Sequence, residues 1–132
     1  MPIEVGIKGR AETVVTEQNT AAAIGSGLVP VFATPYMIAL MENAAVNALA
    51  PYLEAGQGSV GTRLEVSHDA ATPIGLKVWA EAEIYAVSEN GKIVDFKVKA
   101  WDEKGTIGQG THSRAIIDND RFLTKCNAKL EG

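Results

Sequence analysis

The sequence predicts an α+β domain in which one long central helix is wrapped by a five-stranded, mainly antiparallel sheet. Three observations predict it. Only Thr34 to Leu53 spaces its apolar residues as a long helix does. From Ser59 onward the chain alternates with period two. The alternating runs are separated by short turn signals such as Asn90-Gly91 and Glu103-Lys104-Gly105.

Taken in order, Ile3 to Thr16 is rich in β-branched residues and reads as a strand with an irregularity at Gly9. Glu17 to Ser26 has no period, and Gly25-Ser26-Gly27 marks a turn. Thr34 is a good helix N-cap, and Pro35 stands where a missing N–H costs nothing. Met37, Leu40, Met41, Ala44, Ala45, Ala48 and Leu49 form one apolar face, kept slim by alanine so that a sheet can approach closely. Pro51, Gly56 and Gly58 end the segment.

In the second strand Val60, Thr62, Leu64, Val66 and His68 share one face, and Gly61, Arg63, Glu65, Ser67 and Asp69 the other. After a turn at Ala70 to Pro73, Ile74, Leu76, Val78, Ala80, Ala82, Ile84 and Ala86 alternate against Lys77, Trp79, Glu81, Glu83 and Tyr85. Asn90-Gly91 predicts a type I′ hairpin into Lys92 to Asp102, where Val94, Phe96, Val98 and Ala100 face inward. A second turn leads into Thr106 to Ile117, making the last three strands sequential and antiparallel. One helix covers only one sheet face, so the other is solvated or paired, and Trp79, Tyr85 and Trp101 suit pairing with another subunit.

The chain has 132 residues, the size of a single domain, 1–132. A net charge of −4 with no basic cluster argues against nucleic acid. One cysteine, Cys126, excludes an intrachain disulfide and a multi-cysteine metal site. Met1 to Arg10 lacks the apolar core of a signal peptide, and no run reaches the ~20 residues that span a bilayer, so a cytoplasmic location without membrane contact is expected.

Glu42 is the only charged side chain between Thr34 and Leu53, with Ile38, Ala39, Ala45 and Val46 around it. It is either a solvent-facing glutamate or a carboxylate in a partly dry cleft, where desolvation makes it more basic. Asn43 and Asn47 mark a polar stripe beside it, as substrate contacts, subunit contacts or the wet side. His68 closes its strand on the apolar parity, as a structural histidine or a general acid–base. Thr34 is at the positive end of the helix dipole, which favours an oxyanion. Gly61 marks either a bulge or a close backbone approach. His112 and Arg114 share one parity of the last strand and read as hydrogen-bonding or edge residues; a phosphate contact from Arg114 has no support in the pattern. No metal-ligand spacing, phosphate loop, dinucleotide fingerprint or nucleophile elbow is present.

Ala33-Thr34-Pro35, Glu42-Asn43-Ala44-Ala45, Gly61-Thr62 and Val66-Ser67-His68 together resemble the fluoroacetyl-CoA-thioesterase-like family of the hotdog fold, over roughly residues 5 to 118. Thr, Glu and His follow one another at offsets of 8 and 26 positions, and the joint spacing carries the resemblance. The resemblance implies a short- or medium-chain acyl-CoA thioesterase with Thr34, Glu42 and His68 as its catalytic set. Glu42 would act as nucleophile or base, His68 as general acid–base, and Thr34 would orient the carboxylate or stabilise charge. The Gly61 N–H would contact the thioester oxygen. Leu28, Phe32 and Asn43 are the other expected substrate contacts. The family's fluoroacetyl-specific member carries a phenylalanine gate upstream of its threonine. Here that region reads Gly25-Ser26-Gly27-Leu28-Val29, and the first phenylalanine is Phe32. The resemblance further implies at least a homodimer, with sites between protomers, and no cofactor beyond the CoA of the substrate. Two other activities stay open: a non-catalytic acyl-CoA-binding module and a hydroxyacyl-thioester dehydratase.

Overall fold

A computed structural model describes residues 2–132. Strand β1 (Lys8–Val14) is followed by a 3₁₀ turn and a short helix α1 (Ala21–Ile24). The long helix α2 (Thr34–Leu49) comes next, then β2 (Gln57–His68), β3 (Lys77–Val87), β4 (Ile93–Asp102) and β5 (Gly105–Asp118). The five strands form one sheet in the order β1-β3-β4-β5-β2, every neighbouring pair antiparallel. The expected helix and sheet are therefore present, with β1 and β2 at the two edges.

The core lies between α2 and the concave face of the sheet. Met37, Met41, Ala44, Ala45 and Leu49 are fully buried there against Val78, Ala80, Ala82, Ile84, Val94 and Phe96. The period-two reading of β3 and β4 is thus the observed burial pattern, because alternate side chains of a pleated strand leave on opposite faces. The slim alanine face lets backbones meet. A Cβ at Gly9 would collide with the Ala44 carbonyl and the Ala48 backbone. The irregularity expected at Gly9 is absent, since β1 pairs with β3 without a shift from Lys8 to Val14. Gly9 serves a close strand–helix crossing instead.

Five other expectations change. The N-cap of α2 is Ala33, with no side-chain cap, and Thr34 is the first helical residue. Helix α2 ends at Leu49, and Ala50–Tyr52 tightens into a 3₁₀ turn because Pro51 has no N–H to continue the α ladder. Strand β3 begins at Lys77, after a turn in which Gly75 takes φ 103°. The hairpin after β3 is not type I′: only Gly91 has positive φ, at 73°, while the Asn90 side chain accepts from Lys92 N at 3.0 Å and Ser88 Oγ at 2.7 Å. A type I′ turn needs positive φ at both central residues, and this loop has it at Gly91 alone. Finally, a helix α3 (Asn119–Asn127) follows β5, started by Asp118 accepting from Arg121 N at 3.0 Å. It buries no residue and stands outside the core.

The outer sheet face carries stacked aromatics. The Trp79 and Trp101 rings lie 6.2 Å apart, with Arg10 5.1 Å over Trp101 and Lys77 5.6 Å over Trp79. These cations cover part of the aromatic surface left outward by the alternation.

Candidate active site

Strand β2 decides which side chains meet. Its register against β5 slips between Gly61 and Arg63, so Thr62 is an extra residue. The slip reverses the parity read for Gly61 and leaves that of Leu64, Val66 and His68 as read. Gly61 before the bulge and Leu64, Val66 and His68 after it all face the helix side, paired with Arg114, His112, Gly110 and Gly108. Both meanings weighed for Gly61 apply, since it borders the bulge and a Cβ on it would stand 2.7 Å from Glu42 Oε2.

Glu42 is half-buried on α2, its side chain 40% exposed. Arg114 Nη1 donates to Glu42 Oε2 at 3.1 Å. The buried guanidinium is itself held, with Nε donating to Ser59 Oγ at 2.8 Å and Nη2 to the Ser59 carbonyl at 3.0 Å. Arg114 Nη1 also lies 3.1 Å from His112 Nε2. His112 Nδ1 is 2.8 Å from the Arg63 carbonyl, which can only accept, so the ring carries its proton there and offers Nε2 to Arg114. Burial holds the His112 pKa below its ordinary 6.5; the Arg63 hydrogen bond and Glu42 raise it, and Arg114 lowers it. A neutral His112 is no ion-pair partner for Glu42, 4.0 Å away, so Arg114 supplies the charge that anchors the carboxylate.

Thr34 and His68 form a second cluster. Thr34 Oγ1 and His68 Nδ1 are 2.7 Å apart. Freed from capping, the hydroxyl fixes the imidazole. His68 Nε2 is buried and has no hydrogen-bond partner among the described residues. Burial lowers the His68 pKa from 6.5, against smaller raising effects of the Ala70 backbone and Asp69. The loops around this pair are tied down. Phe32 N donates to the Thr72 carbonyl at 2.9 Å, and Ala33 N to the Asn19 carbonyl at 2.9 Å. Thr34, His68, Ala71 and an edge of Phe32 line one open cleft of about 210 Å³.

Within the chain the two clusters stay apart. Glu42 lines a separate cleft with Gly61, Thr62, Arg63 and His112. Thr34 and Glu42 lie eight residues apart on α2, which is ~12 Å along the axis. The chain therefore joins Thr34 to His68, and Glu42 to Gly61, but not Glu42 to His68. Of the expected substrate contacts, Leu28 is 97% exposed on a loop and Phe32 is 1% exposed in the core. Asn43 is exposed on α2 and accepts from Asn47 Nδ2 at 3.3 Å. Asn47 Nδ2 also reaches the Arg10 carbonyl at 2.7 Å, so part of the polar stripe ties α2 to β1. The pairing of Arg114 with Glu42 was not foreseen. His112 and Arg114 on one parity of the last strand were the available signal, and the bulge, one of two meanings open for Gly61, is what sets Gly61 opposite Arg114.

The family profile for fluoroacetyl-CoA-specific thioesterases matches residues 15–120. The chain is 48% identical over 99 residues to the fluoroacetyl-CoA thioesterase of Streptantibioticus cattleyicolor, covering 75% of this chain and 70% of that protein. A solved structure of the fluoroacetyl-CoA thioesterase FlK superposes with TM-score 0.91 at 39% identity, covering 98% of each chain. A Thermus thermophilus protein described as a thioesterase superfamily member superposes with TM-score 0.89 at 31% identity, over 98% of this chain and 95% of that one. The curled sheet around one long helix is thus the hotdog arrangement.

Proposed function

Since the chain belongs to the fluoroacetyl-CoA-specific thioesterase family, we propose that it hydrolyses a short- or medium-chain acyl-CoA with Glu42, His68 and Thr34 as its reacting groups. The protein is an acyl-CoA thioesterase. A binding-only module and a dehydratase have no comparable support.

The observation that carries the residue roles is the setting of Glu42. One carboxylate oxygen is held 3.1 Å from Arg114 Nη1 and lies beside the strand bulge at Gly61. The other is left for the thioester carbonyl or for a water. An anchored carboxylate reacts with little loss of side-chain freedom. Attack on the carbonyl carbon pushes negative charge onto the carbonyl oxygen, and a backbone N–H near Gly61 would stabilise it there. His68, whose ring Thr34 orients through Nδ1, takes up a proton from the hydrolytic water as general base and returns it to the departing CoA thiolate as general acid. Whether Glu42 attacks directly or through water, the same side chain is required. CoA enters as part of the substrate, and no further cofactor has a role in these steps.

Glu42 and His68 must then meet across a protomer boundary. β2 is an edge strand of 12 residues whose outer backbone row is unpaired among the described residues. A two-fold pairing of β2 with its copy runs antiparallel, so the His68 end of one strand lies against the Gln57–Gly61 half of the other. That brings the Thr34–His68 pair of one protomer toward Glu42 of its partner. The reading supports a homodimer as the catalytic unit. On chain length of the acyl group, Leu28, exposed on its loop, stands in the region of the family's phenylalanine gate, which supports a broader substrate than fluoroacetyl-CoA.

The test is CoA release from a panel of acyl-CoAs, followed with a thiol-trapping dye. Glu42→Ala is expected to lose ~10²–10⁴-fold in kcat. Unchanged turnover in that variant would rule out Glu42 as the reacting acid.

A further inference from the structure

A second concavity, of about 590 Å³, lies at the far end of the β2–β5 ribbon from His68. Its walls carry Lys92 from the β3–β4 hairpin and Arg121 and Lys125 from α3, over an apolar floor that includes Leu53 and Phe122. None of these three cations forms an ion pair among the described residues. Both supporting elements are fixed. Ile116 N donates to the Lys92 carbonyl at 2.7 Å, and Asn119 N to the Gly56 carbonyl at 2.9 Å. The one acid in the wall, Asp118, is engaged in capping α3 through Arg121 N. In a chain of net charge −4, three uncompensated cations around one hollow form a local positive field.

We propose that this hollow binds the phosphorylated nucleotide end of the CoA substrate, with Lys92, Arg121 and Lys125 on the phosphates and the Phe122–Leu53 floor against the base. The inference rests on the thioesterase reading and names a subsite for it. The hollow adjoins the Glu42 site: Arg114, which anchors Glu42, and Ile116, which lines the hollow, are successive inward residues of β5. From Gly61 to Gln57 along β2 is ~13 Å, a gap that the phosphopantetheine arm bridges. Cation and aromatic groups together suit a nucleotide better than a bare anion.

The experiment compares acetyl-CoA with acetyl-pantetheine, which keeps the thioester and lacks the nucleotide. Its variant is Lys92→Glu/Arg121→Glu/Lys125→Glu, whose native side chains are exposed and form no ion pair among the described residues; thermal melting of the variant checks the fold. The expected result is a KM for acetyl-CoA raised at least ~tenfold, with kcat/KM for acetyl-pantetheine unchanged. An unchanged KM for acetyl-CoA, or equal losses on both substrates, overturns the proposal. Adenosine 3′,5′-bisphosphate binding is measured beside it by calorimetry, with inorganic phosphate as comparison. Binding that the variant loses supports the subsite. Equal binding to both proteins, or inorganic phosphate binding as tightly as the nucleotide, overturns it. If the wild type hydrolyses neither thioester, the thioesterase reading fails, and the calorimetry still decides the pocket.

Discussion

At the residue scale, two imidazoles have pKa values pushed below 6.5 by burial, one beside each cluster. A histidine with a depressed folded-state pKa binds fewer protons folded than unfolded. Stability therefore rises with pH through the window between the folded value and 6.5, and is lost as pH falls through it. Denaturation midpoints are expected to fall as pH drops below 6.5, and His112→Asn is expected to flatten that slope. His68 also stays neutral, and able to accept a proton, below the ordinary histidine range. The acid limb of the kcat/KM profile should lie below pH 6.5 and disappear in His68→Ala. The same variant should lower turnover strongly while leaving most of the stability, because the ring is half-buried and its one side-chain bond is to Thr34. Collapse of the fold in His68→Ala would make the residue structural. Arg114 belongs at this scale too: its three hydrogen-bonded contacts to Ser59 and Glu42 make it a positioning residue for the acid.

At the element scale, the helix–sheet crossing rests on small residues. Gly9 faces the Ala44–Ala48 stretch of α2 so closely that any side chain displaces backbone. Gly9→Ala is expected to cost ~1–3 kcal/mol, read as a lower urea midpoint with an unchanged m-value. A fully stable variant would mean that α2 can move away from β1 at no cost. The bulge at Thr62 is the element-scale feature that makes the candidate site, since it turns Gly61 toward Glu42 while keeping His68 on the same face.

At the scale of the whole molecule, one chain holds two incomplete clusters, and the proposed dimer completes them. Glu42→Ala and His68→Ala should each be inactive alone. Mixed in equal amounts and allowed to exchange subunits, they should recover ~25% of wild-type activity, because half the dimers are mixed and each mixed dimer has one intact site. No recovery after demonstrated exchange would place both groups of a site in one chain. Sedimentation velocity of the wild type supplies the companion measurement, with a dimer expected. None of the described helices is long and apolar enough to cross a membrane.

Periodicity alone determined the long helix, the inward faces of β3 and β4 and the antiparallel order of the last three strands, because these follow from backbone geometry and local burial of apolar side chains. The Thr–Glu–His spacing, read through its family resemblance, determined the class of enzyme. Tertiary structure alone decided that Thr34 bonds His68 rather than capping α2, that Arg114 rather than His68 holds Glu42, and that Gly61 faces the helix. Each of these depends on a register slip of one residue in β2 or on a contact between α2 and a strand far away in sequence. A period-two pattern carries no record of either, since inserting one residue changes which face a side chain takes without changing the residues themselves.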